Sequence, residues 1–171
     1  DEEVSRGLGD VYKRQAHDYG FILDATPNDF VSGELESAIV RCDRELAPQL
    51  ILIEGQSALR NPSGPCGAEF LSSAQAKGVI LQHAPGRELY KTTERPWPMA
   101  DIADDIKIIQ LYGSEVLAVT LNGEGVAEAD REGVRAELEQ HLGLPVFLPL
   151  EQGVSGILPL LRDFVVREVK S

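Results

Sequence analysis

What the chain lacks narrows its function before any motif is read. It has only two cysteines, Cys42 and Cys66, in 171 residues. Two thiols make no disulfide framework, and no Cys or His partner stands at zinc-ligand spacing. Both read as small apolar residues of a protein kept in a reducing cytoplasm. Apolar runs are short. Leu50-Ile51-Leu52-Ile53 is typical, far below the roughly 20 residues that cross a bilayer. No stretch joins a basic start, an apolar centre and a small-residue cleavage site, so no secretory signal is read. Basic charge is scarce as well: 16 Lys and Arg stand against 28 Asp and Glu, a net charge of −12. Such a field repels phosphate backbones and disfavours nucleic acid as a partner. An anionic ligand needs local help from helix N-termini or individual arginines. Signature loops are missing too: the chain has no G-x-x-x-x-G-K-[ST], no G-x-G-x-x-G, no G-x-S-x-G and no H-E-x-x-H.

What remains is an ordinary globular composition, 43% hydrophobic and 26% charged, long enough for one domain with a real core and too short for two. The first fifteen residues stand apart. Asp10-Val11-Tyr12-Lys13-Arg14-Gln15, preceded by Ser5-Arg6-Gly7-Leu8-Gly9, matches one reading frame of the transposase end sequence used in building sequencing libraries. Residues 1–15 are therefore expected to be an assembly scar, and 16–171 the C-terminal part of a longer domain.

Beyond residue 18, short apolar runs alternate with helical stretches. Residues 19–25 read as a strand closed by Thr26-Pro27-Asn28-Asp29, whose Asn and Asp are good caps for the next helix. Val31, Leu35, Ala38, Ile39, Cys42 and Leu46 then recur at helical spacing up to Pro48. Residues 50–53 are apolar on both faces, the pattern of a central parallel strand covered by helices. A short helix is expected within 68–77 and strands at 78–82, 115–121 and 145–148. A polar surface loop at 88–98 carries Trp97, expected to anchor it on the core. Helices are expected at 101–112, at 126–142 (Val134, Leu138, His141 and Leu142 inward, Gly143 as stop) and at the C-terminus, striped by Ile157, Leu161, Phe164, Val165 and Val169. Strands alternating with helices at this spacing imply a mostly parallel sheet flanked by helices, an α/β fold.

In open parallel sheets, ligands gather outside the carboxyl ends of the strands. The chain's unusual residues concentrate there: Glu54 after one apolar run, His83-Ala84-Pro85-Gly86-Arg87 after a second, Asn122-Gly123 after a third. An acid following four apolar residues has the form of a Walker B strand, whose carboxylate holds Mg²⁺ directly or through water. An acid pairing with Arg60 or Arg87 is the plainer alternative. The loop from Gly55 to Gly67 has the turn residues that let backbone N–H groups approach an anion. Arg87 suits a phosphate or carboxylate through its planar fork, and His83 suits proton transfer. Asp29 reads first as a helix cap. His17 and His141 read as structural.

These segments resemble the C-terminal P-loop domain of the domain-of-unknown-function 1611 family. The resemblance is carried by Asn28-Asp29-Phe30-Val31-Ser32-Gly33, Leu50-Ile51-Leu52-Ile53-Glu54-Gly55-Gln56, His83-Ala84-Pro85-Gly86-Arg87, Leu121-Asn122 and Leu142-Gly143-Leu144-Pro145-Val146. It implies an incomplete P-loop NTPase-like, Rossmann-like three-layer domain similar to dethiobiotin synthetase. It also implies an enzyme using acetyl-CoA or ATP, with Mg²⁺ held near Glu54 and Asp29. Gly55, Gln56, Ser57, Asn61, Arg87 and Asn122 would bind nucleotide or substrate, and His83 and Glu54 would be catalytic. Some members are described as N-acetyltransferases of D-glutamate. The resemblance therefore implies acetyl transfer to a small acidic amino acid, with an ATP-dependent ligase or a non-catalytic nucleotide-binding module as alternatives. A cytoplasmic protein is implied, with no nucleic-acid or membrane partner and with homo-oligomerisation left open. The chain departs from the common family pattern at Ser57, Asn61 and Gly123, which marks a distinct subgroup.

Overall fold

A computed structural model of the chain describes residues 28–54, 59–61, 67–90 and 96–170. The expected strand at 19–25, the segment 1–15 and His17 lie outside the described residues. In chain order the elements are α1 (Asn28–Leu46), α2 (Gly67–Ser72), β1 (Gly78–His83), α3 (Ile102–Leu111), β2 (Glu115–Leu121), α4 (Arg131–Leu142), β3 (Val146–Phe147), α5 (Pro149–Gln152) and α6 (Leu158–Lys170). The three strands pair in parallel in the order β1-β2-β3. This is the α/β architecture that the alternating pattern predicts.

β2 is the centre. Val116, Leu117, Ala118, Val119 and Leu121 are all buried, as expected for a parallel strand covered on both faces. On one face Val116, Val119 and Leu121 pack with Ile102, Ile106 and Ile109 of α3, and α4 adds Val134, Leu138 and Leu142. On the other, the ring of Phe164 from α6 closes over Gly78 and Leu117. A Cβ on Gly78 would lie 2.8 Å from that ring, so only glycine lets α6 settle there. The register between β1 and β2 shifts between Val79 and Ile80, an irregularity that takes up the extra residue at Leu117.

The helices begin and end where their capping chemistry says they should. Asp101 accepts a hydrogen bond from Ala103 N at 2.9 Å and starts α3. Gly143 ends α4 in the left-handed region at φ 64°, a conformation glycine adopts without penalty.

Several expectations are corrected. Among the described residues, 50–53 joins neither β1 nor the rest of the sheet, and Leu52 is 74% exposed. Apolar, β-branched composition reports a preference for burial, whereas a strand also needs a partner edge. Trp97 is half exposed rather than packed on the core. It belongs to a short antiparallel arm in which Leu89 faces Pro98 and Tyr90 N donates to Trp97 O at 3.0 Å. Here Tyr90, not Trp97, is the buried ring. His141 and Val169 are exposed rather than inward, and the helix expected at 126–142 opens with a separate 3₁₀ turn, Glu128–Asp130. α5 was not anticipated; its four residues are too few for a periodic signal.

The core makes a quantitative contrast within one helix. Ile109→Ala is expected to cost about 2–5 kcal/mol, because Ile109 is almost fully enclosed. Leu111→Ala, two residues on and 86% exposed, is expected to stay within about 0.5 kcal/mol of wild type. Urea unfolding of the two variants checks both. Equal losses would mean that α3 does not dock as described.

Candidate functional site

The carboxyl ends of β1 and β2 lie side by side. His83 is in register with Leu121, and the ladder continues one step further as Asn122 N donates to His83 O at 2.8 Å. From these tips two short turns emerge and meet. In the first, Arg87 N donates to Ala84 O at 3.0 Å. In the second, Asn122 Oδ1 accepts from Glu124 N at 3.0 Å and Val126 N donates to Gly123 O at 3.1 Å. The side chain of Asn122 thus closes its own turn, a local use that Asn performs readily.

Gly86 and Gly125 press backbone against backbone. A Cβ on Gly86 would fall 2.7 Å from Gly125 C, and one on Gly125 would fall 2.8 Å from Gly86 O. Gly125 also sits at φ 77°. Both glycines are therefore needed for the two turns to touch. Across the contact, Arg87 Nη2 donates to Glu124 Oε2. Arg87 Nε is buried and finds no acceptor among the described residues. On the far flank Arg131 covers Gly123, donates from Nε to Val126 O at 3.3 Å and pairs with Glu151 at 2.6 Å. It holds the second turn from behind.

His83 is partly buried at the tip of β1. Burial holds its imidazole below the ordinary value of 6.5, and the fields of Asp105 and Asp101 oppose that shift without cancelling it. Those acids belong to the N-terminal turn of α3 and its cap. Arg60 anchors there: its Nε donates to Asp105 Oδ1 at 2.6 Å and its Nη2 to Asp101 O at 2.7 Å, with Asp104 at 4.0 Å. Its neighbour Asn61 is buried. The structure thus brings a neutral-leaning imidazole and two arginine–carboxylate pairs to the strand tips.

The predicted residues divide as follows. His83, Arg87 and Asn122 come together at the tips of β1 and β2. Asn61 is held beside Arg60, which is docked on α3. Glu54 is exposed at the end of the 50–53 segment, outside the sheet. Arg60 and Arg87 are engaged by Asp105 and Glu124. Gly55, Gln56 and Ser57 lie outside the described residues, as does the Asp29 carboxylate, although Asp29 itself stands in the opening turn of α1. Among the described residues no group of three His, Cys, Asp or Glu gathers to hold a metal. Sequence reasoning missed Glu124 and Asp105 as partners. The signal for Asp105 was available, since Asp101, Asp104 and Asp105 crowd one helix start. Glu124 lacked any, because its pairing spans two separate turns. A shallow hollow of about 210 Å³ lies elsewhere, lined by Lys77, Tyr112 and Gly113 among others. It sits at the amino end of β1, away from these groups.

The His83 environment has a measurable consequence. Between its folded midpoint and 6.5 the unfolded chain binds more protons than the folded one, so this group's contribution makes stability rise with pH through that window. An NMR titration of the His83 ring is expected to give a midpoint below 6.5. A midpoint at or above 6.5 would mean that the acids of α3, not burial, dominate.

Comparison with known proteins places this geometry. Residues 6–158 match the P-loop domain of a family described as "Domain of unknown function (DUF1611_C)". A solved structure of a DUF1611 family protein from Anabaena variabilis superposes with a TM-score of 0.69 at 21% identity, covering 86% of this chain and 43% of that one. That likeness speaks for the fold, and the chain spans less than half the length of that relative. No curated protein matches. Among the described residues no helix is long and apolar enough to cross a membrane. With the match covering nearly the whole chain, the protein belongs to the DUF1611 family and carries its P-loop domain.

Proposed function

We propose that this domain contributes the substrate end of an enzyme that acetylates the amino group of a small acidic amino acid, such as D-glutamate, from acetyl-CoA. The observation that carries the reading is that a neutral-leaning His83 ends β1 and Arg87 stands in the turn that leaves the same strand end, against the turn after β2. A base kept neutral near pH 7 accepts a proton from an attacking amine. An arginine fork at the same strand end holds a substrate carboxylate in place.

Acetyl-CoA, when bound, supplies an activated thioester. On the protein side, Arg87 fixes the carboxylate, so the amine is presented at a set distance from the imidazole. His83 removes the proton from the amine as its nitrogen bonds to the acetyl carbon. The same imidazolium then returns that proton to the departing sulfur as the C–S bond breaks. The fit of Mg²⁺ is poorer. Glu54 is an exposed carboxylate, and among the described residues no three His, Cys, Asp or Glu gather to hold an ion.

The second reading, an ATP-dependent ligase that activates a carboxylate as an acyl phosphate, draws on the P-loop domain itself. Incubating the whole protein with acidic amino acids and either acetyl-CoA or ATP separates the two. Release of free CoA thiol without ADP is expected, and ADP formation would overturn the acetyl-transfer reading. In that assay His83→Gln is expected to lower kcat/KM by about 10²–10⁴-fold. Because these 171 residues hold no phosphate-binding G-x-x-x-x-G-K-[ST] loop, calorimetry on this chain alone is expected to show ATP and acetyl-CoA binding weaker than micromolar.

A further inference from the structure

We infer that Glu124 is a resident stand-in for the ligand's carboxylate: it occupies Arg87 in the empty site and is displaced when a carboxylate-bearing small molecule binds. This rests on the reading of Arg87 as the anion-holding residue and adds the group that regulates access to it.

A carboxylate engages arginine most strongly through two parallel N–H···O bonds, and one of the two edges that permit this is the Nε–Nη2 edge. Glu124 meets Arg87 through Nη2, while Nε on the same edge is buried and has no acceptor among the described residues. A buried donor left without a partner is destabilising. The native pair therefore uses half of a two-pronged edge and leaves the other half unsatisfied. A free carboxylate lying flat on that edge satisfies both donors. It can do so because its orientation is not constrained by a chain.

Displacement of the resident group is cheap. The side chain of Glu124 is 44% exposed and that of Arg87 31%, and ion pairs in such settings contribute little. The exchange also needs no loop movement. The Asn122 turn, the Gly86–Gly125 backbone contact and the brace of Arg131 hold both turns whichever carboxylate sits on Arg87. Glu124 then serves two ends: it neutralises Arg87 in the free protein, and by charge repulsion it sets a threshold below which weakly binding anions are turned away.

The test follows the Arg87 Nε–H resonance in ¹⁵N-labelled full chain during titration with sodium acetate, ionic strength being held constant with sodium chloride. Arg87→Lys, which removes that N–H, assigns the signal. A saturable shift is expected in wild type, with the midpoint falling about tenfold in Glu124→Gln and Glu124→Ala as one competing like charge is removed. The alanine variant guards against the amide of glutamine keeping the same contact. Equal midpoints in wild type and both variants would overturn the displacement while leaving Arg87 as an anion site. Absence of any saturable shift in all of them would overturn the anion-holding reading of Arg87 itself, and the displacement with it.

Discussion

Everything the protein presents at its strand tips depends on the burial of β2 between two layers. Val116, Ala118, Val119 and Leu121 are shielded from water, and at ~25 cal/mol per Å² of apolar surface removed from water such a strand is the main reason that the sheet forms. Because β2 is immovable, its neighbour β1 is placed by register and their ends stop at the same level. His83 and Asn122 are adjacent for that reason alone, although 38 residues and a helix separate them in the chain.

The second layer of organisation is electrostatic, and it suits a chain of net charge −12. Each arginine near the tips is matched to acids: Arg60 to Asp105 and Asp104, Arg87 to Glu124, Arg131 to Glu151. The pairs do different things. Arg60 ties the segment before α2 to the start of α3. Arg131 sits behind Gly123 and stiffens the second turn. Among these three, Arg87 alone combines an ion pair with a buried N–H that has no acceptor among the described residues.

The comparison between expectation and structure is most instructive where the two part. The strand at 115–121 was legible because its residues are apolar on both faces, a pattern few other elements produce. Residues 50–53 carry the same pattern, yet among the described residues they lie outside the sheet. The helix at 101–112 was legible from the spacing of Ile102, Ile106 and Ile109, while the structure makes Asp101 its cap rather than its first residue. The inward places given to His141 and Val169 were not met, since a helix end drifts off the buried face as packing gives way to solvent.

The sequence alone determined the parallel α/β class, the strands at 78–82 and 115–121, and the place of His83, Arg87 and Asn122 at their carboxyl ends, because periodicity and capping act over a few residues. Tertiary structure decided which acid each arginine meets and that Asn122 closes its own turn. It also decided that Gly86 must lie bare against Gly125. Contacts of that kind join segments distant in the chain, and their geometry exists only once β1 and β2 have been set side by side.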